Sequence, residues 1–212
     1  MRRWGMLLAI AAIAVMAVAQ EKQLSLADQA AAARNQKQME VGSEEMGRVV
    51  NGDYQNPYFG LNIRRLPDWQ SMGRGEMNVT EASGREVLGA KAGVHSQRVF
   101  GMSDLRGASL FVGIVAVPPG LNPADITPIQ QKKIAENLPD PKFSDEPVML
   151  NDAQHAFTGF RTTYTLREKA IYQSQQCIVR DGHLIMFTLT ANSPEDLTGL
   201  WRQLKTNITW TK

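Results

Sequence analysis

A single cysteine, Cys177, stands among the 212 residues, so no intrachain disulfide can brace the fold. Histidine is scarce as well. His95, His155 and His183 are too far apart to form a His-Glu-x-x-His or Cys/His metal cluster. The phosphate-loop pattern fails, because Gly84 and Gly89 have the spacing but Ala90 stands where lysine is needed. Ser103 and Ser109 lack the glycines of a nucleophile elbow. These absences leave no catalytic, metal or cofactor residue to assign, and no cofactor is expected.

Charge of one sign is also lacking. The formal net charge of +2 comes from 23 Lys+Arg against 21 Asp+Glu, and Arg2 and Arg3 account for the excess. Without those two the chain is neutral and carries no long basic block, which excludes the electrostatic footprint of a nucleic-acid binder. The apolar run over 5–15 is shorter than the ~20 residues of a spanning helix.

What is present begins with that run. Arg2-Arg3, the apolar stretch and Ala17-Val18-Ala19 before Gln20 have the form of a secretory signal peptide with an A-x-A cleavage site. Cleavage after Ala19 is expected, giving a soluble periplasmic or extracellular protein. An uncleaved segment would instead tether the chain to the membrane. Gln20 occupies the position where a lipoprotein would carry cysteine.

Three regions follow from composition: a signal peptide over 1–19, a polar Ala/Gln-rich extension over 20–48, and a globular α+β domain over 49–212. Ser25 and Asp28 form a capping pattern that predicts a helix over 26–39 in the extension. A second short helix is predicted over 78–92. The stretch from Tyr54 to Ile63 reads as strand, and the proline of Leu66-Pro67-Asp68-Trp69 turns Trp69 back over the core edge. Leu110 to Val117 is apolar throughout, the mark of a central strand covered on both faces. Thr127-Pro128 predicts a helix over 128–138 with Ile129, Ile134 and Leu138 as its stripe.

Strands are then predicted over 147–150, 156–167, 171–180 and 183–191, with Asp181-Gly182 as a hairpin turn. Ser193-Pro194 caps a final helix whose Leu197, Leu200, Trp201 and Leu204 share one face. A terminal strand over 208–210 completes an antiparallel sheet of six or seven strands with helices packed on one face.

Two residue groups invite a functional reading. The stretch from Asn51 to Phe59 is rich in aromatics and amides, and Arg64, Arg65, Arg74 and Arg85 follow it. Tyr54, Asn56, Tyr58 and Trp69 are therefore the candidate interaction surface, against the alternative that these aromatics pack in the core. Cys177 lies in a predicted strand as a buried apolar group, or else as a nucleophile paired with an exposed His183 or with His155.

Tyr54-x-Asn56-x-Tyr58-Phe59-Gly60-Leu61, followed by Leu66-Pro67-x-Trp69, resembles the opening hairpin of PsbP-like domains. The stretch from Gly182 to Ala191 with Ser193-Pro194-Glu195-Asp196-Leu197 is similar to their last hairpin and helix. The resemblance covers 49–210. It implies a sandwich around an antiparallel sheet and an exported, non-enzymatic binding or assembly module of the bacterial envelope. The expected partner is an envelope protein or small ligand. The alternative is a periplasmic hydrolase-like enzyme whose site gathers distant residues.

Overall fold

The computed structural model describes residues 42–72, 77, 97–118, 120–150, 156–166 and 168–211. The signal segment, the predicted helices over 26–39 and 78–92, His95, His155, Arg74 and Arg85 lie outside the described residues. Eleven strands and two helices are described. Strands β1 (Arg48–Val50), β2 (Asp53–Asn56), β3 (Leu61–Ile63), β4 (Gln70–Met72), β5 (Gln97–Ser103) and β6 (Ser109–Ala116) precede helix α1 (Pro123–Asn137). Then come β7 (Lys142–Asp145), β8 (Phe157–Leu166), β9 (Lys169–Arg180), β10 (His183–Ala191), helix α2 (Pro194–Asn207) and β11 (Ile208–Trp210).

These strands form two antiparallel sheets instead of the single sheet expected. The larger has seven strands in the order β4-β5-β6-β10-β9-β8-β7, and the smaller has the order β1-β2-β3-β11. The chain is thus α+β, as its mixed elements predict. The helices depart from expectation: they lie on opposite faces of the large sheet. Along β10, Ile185, Phe187 and Leu189 join the core under α2 and the small sheet, whereas Leu184 and Met186 pack with Ile126 of α1. Alternation sends successive side chains to opposite faces, so a strand apolar at both sets of positions requires cover on both sides. β6 is buried at every residue for the same reason, as its unbroken apolar run predicts.

Helix α1 starts five residues earlier than predicted. Asn122 caps it, accepting from the Ala124 N–H at 3.0 Å, and Pro123 takes the first position. Asn-Pro and Thr-Pro are equivalent start signals, and the earlier one brings Ile126 onto the sheet. Pro128 then sits inside the helix, and the Thr127 hydroxyl meets Thr158 Oγ1 at 3.2 Å. The buried stripe is Ile126, Gln130 and Ile134, with Gln130 in place of Ile129. Its amide donates to Met186 Sδ at 3.1 Å.

The strand expected over 147–150 is absent. The edge strand is β7, paired with β8 through Ser144 opposite Arg161. Over 147–150 the Met149 and Leu150 N–H groups both donate to Gln176 Oε1 at 3.0 Å, so one side-chain oxygen replaces a neighbouring strand. Strands β6, β8, β9, β10 and β11, the Asp181-Gly182 turn and helix α2 follow the prediction, whereas the stretch read as strand from Tyr54 to Ile63 is two strands, β2 and β3, paired antiparallel across a turn over 57–60. Asp181 and Gly182 have φ of 48° and 71°, the left-handed pair of a type I′ turn. Asn51-Gly52, at 53° and 89°, makes the same turn between β1 and β2.

Candidate functional site

The β9–β10 turn places His183 first on β10, with its side chain on the face of Ile185. Aromatic residues from the β2–β3 turn close over it. The ring centroids of Phe59 and Tyr58 lie 5.2 and 5.9 Å from the imidazole, both edge to face. His183 is consequently 7% exposed, not at the surface as its place after a turn suggests. Nδ1 lies 2.8 Å from the Asp181 carbonyl oxygen, which can only accept, so this nitrogen is the donor. Nε2 faces Glu45 Oε2 at 3.4 Å. Beside it the Arg180 guanidinium stacks over the Trp210 ring at 5.0 Å.

Glu45 belongs to a turn that precedes β1 and is fastened to the small sheet. Its carboxylate also accepts from the Gly42 N–H. Asn56 Nδ2 donates to the Glu45 carbonyl at 2.7 Å and to the Tyr54 hydroxyl at 2.9 Å. The Tyr54 hydroxyl donates to the Met46 carbonyl at 2.9 Å. Gly47 is required here, with φ of 62°, because a Cβ would stand 2.7 Å from the Gln55 carbonyl oxygen.

Of the four residues read as a surface, Tyr54, Asn56 and Trp69 are buried and build this corner or the core behind it. Tyr58 alone presents its ring, 37% exposed, held against Phe59 at a centroid distance of 4.8 Å. Arg65 is tied down as well, its N–H donating to Asp53 Oδ1 at 2.8 Å and its guanidinium to the Trp69 carbonyl. Glu45 was not legible as a site residue. Read in sequence, Glu44-Glu45 is a solvated acidic pair, and nothing local links it to a histidine far along the chain.

Cys177 is buried, and its thiol is pushed up from near 9 to about 12 by burial. It packs with Met186 and Ile126 on the α1 face, whereas His183 points to the α2 face. The sheet separates thiol from imidazole, which removes the Cys177–His183 pair as a nucleophile and base. The thiol should react with iodoacetamide at pH 8 far more slowly in the native protein than in urea; comparable rates would place it in a cleft. Because its folded value is raised, the stabilisation it lends is complete below about 9 and is lost as pH climbs toward about 12. Cys177→Ala should therefore flatten the alkaline limb of stability. Among the described residues no three His, Cys, Asp or Glu side chains group as metal ligands. Nor is any described helix long and apolar enough to cross a membrane.

A protein-family model described as DcrB matches residues 95–201, half of the chain. No curated protein matches it. Among solved structures it is similar to cyanobacterial PsbP from Synechocystis, at 12% identity over 75% of this chain and 91% of that one, with a TM-score of 0.46. LpqN of Mycobacterium tuberculosis, involved in cell envelope biogenesis, is 14% identical over 72% of this chain and 83% of its own, with a TM-score of 0.44. PA94 of Pseudomonas aeruginosa, of unknown function, is 22% identical over 50% and 74%, with a TM-score of 0.39.

Proposed function

Since the chain belongs to the DcrB family, we propose that it is an exported, non-enzymatic binding or assembly module of the bacterial envelope, built on a PsbP-like sandwich. Export is supported by the basic start, short apolar run and Ala17-x-Ala19 pattern of the first nineteen residues. A non-enzymatic role is favoured by the opposite orientations of Cys177 and His183. The sandwich is supported by the aromatic-glycine and proline-tryptophan motifs of the opening hairpin.

The contact surface in this reading is the corner around Tyr58. One observation carries it: an exposed tyrosine ring whose neighbours Phe59, Tyr54 and Asn56 are all buried and hydrogen-bonded or stacked in place. A rigid, amphipathic ring loses little conformational freedom on contact, which is why tyrosine is enriched at recognition surfaces.

A photo-crosslinking residue at position 58, expressed in the native envelope, should give one discrete adduct. The same residue at Lys132, exposed on α1 across the sheet, should give none. Equal adduct patterns from the two positions, or no adduct from position 58, would sink the reading.

A further inference from the structure

We propose that the turn over 42–47 is a proton-operated strap, closed over the Tyr58 corner when His183 is protonated and released when His183 is neutral. The strap joins the first 41 residues to β1 and ends at Gly47, whose φ of 62° turns the chain into the strand. Neutral contacts hold part of it. Asn56 Nδ2 donates to the Glu45 carbonyl, the Tyr54 hydroxyl donates to the Met46 carbonyl, and Met46 packs against the main core. The charged contact is Glu45 Oε2 against His183 Nε2 at 3.4 Å.

The need for a proton follows from the ring's other hydrogen bond. The Asp181 carbonyl oxygen can only accept, so Nδ1 carries a hydrogen. In a neutral imidazole Nε2 is then a bare lone pair, and it faces a carboxylate oxygen that also only accepts. Two acceptors in contact repel, and little water screens them, because the His183 and Glu45 side chains are 9% and 21% exposed. The edge-to-face rings of Phe59 and Tyr58 hold the imidazole in this orientation. One proton added at Nε2 reverses the sign and makes a charge-assisted hydrogen bond.

The other groups around His183 leave that proton as the variable. Arg180 stands opposite it on β9, with Nε 3.7 Å from Asp181 Oδ2 in the turn and the guanidinium over Trp210 of β11. The β2–β3 turn brings the Tyr58 phenol, and β6 brings uncharged Ala116. Guanidinium, carboxyl and phenol groups ordinarily keep one charge state near pH 6.5, where imidazole changes its own. Without the charged contact the strap keeps neutral hydrogen bonds that water can replace. Its release uncovers the Asn56 amide and Tyr54 hydroxyl behind the Tyr58 ring. The inference rests on the Tyr58 reading only in treating these uncovered groups as contact surface.

Hydrogen exchange of the 43–50 amides, on the protein recovered from the envelope and corrected for the intrinsic pH dependence of exchange, reads the strap directly. Protection should be highest near pH 5.5 and fall about tenfold by pH 8, as the imidazole range is crossed. Glu45→Gln should abolish this dependence and keep protection high at both values, because its amide can donate to the neutral Nε2. Protection that is flat with pH in the parent overturns the proposal. So does a fall of the same size in Glu45→Gln, or low protection in that variant at both values. Crosslinking from position 58 separates the two readings, and its adduct should grow from pH 5.5 to pH 8. The expected exchange with no adduct at either pH upholds the strap and removes the contact surface alone.

Discussion

Trp201→Ala should cost about 3–5 kcal/mol, the largest single loss expected in this protein. Trp201 is fully buried on α2 within the main core, where Leu197, Leu200 and Leu204 share its stripe. Its indole N–H donates to Ser174 Oγ at 2.7 Å across the layer boundary. Truncation leaves a large cavity and an unpaired buried hydroxyl together, and these penalties add. Against a typical total of about 5–15 kcal/mol this removes a large share of the stability. Thermal and urea unfolding followed by circular dichroism measure it, with a midpoint lowered by about 10 °C or more. Trp201→Phe keeps most of the packing and should lose about 1–3 kcal/mol through the orphaned Ser174 alone. A Trp201→Ala protein within 1 kcal/mol of the parent would mean that α2 is not docked on this face.

Arg161→Met should destabilise almost as severely, by about 3 kcal/mol, through the charge it leaves behind. The Glu146 side chain is 1% exposed and is gripped at both oxygens, by Arg161 Nε and by Nη2 at 3.0 Å. Nη2 also donates to Thr198 Oγ1 at 3.0 Å, tying the segment after β7 to α2. The hydrogen bond to Glu146 raises the guanidinium above its usual value, against the desolvation that lowers it. Without Arg161 the Glu146 carboxylate is buried and unpaired. Replacing both residues, Arg161→Met with Glu146→Leu, removes the charge with its partner and should recover most of the loss. A double-mutant cycle in urea decides between the possibilities. Simple additivity, with Arg161→Met costing under 0.5 kcal/mol, would show a solvated pair with no structural role.

Several elements were readable because their signals lie within a few residues. The Ser193-Pro194 cap and the stripe of Leu197, Leu200, Trp201 and Leu204 specify α2 and its buried face. Asp181-Gly182 specifies the β9–β10 turn through two left-handed residues, and the run from Leu110 to Val117 specifies a doubly covered strand. Where two local signals compete, as Asn122-Pro123 and Thr127-Pro128 do at α1, tertiary contacts choose between them. Ile126 reaches Cys177 and Met186 only if the helix begins at the first.

Polar side chains mark the other boundary of legibility. Thr162, Gln173, Thr190 and Ser109 lie opposite one another across β8, β9, β10 and β6, and all are buried. Side chains of these types are mostly exposed in folded proteins. Their burial depends on layers supplied from elsewhere in the chain, and Gln173 Nε2 meets Thr190 Oγ1 at 3.1 Å only because the register sets them side by side.

By itself, then, the sequence determined the local vocabulary of this protein: its turns, helix caps and buried strands, all carried by propensity and periodicity within short windows. Tertiary structure alone decided that β11 pairs with β3 to make a second sheet, that the helices take opposite faces, and that Glu45 meets His183. Those outcomes are pairings between distant segments. Each strand offers the same backbone donors and acceptors to any partner, so the choice among partners rests on the summed packing of the folded layers and leaves no mark in any short window.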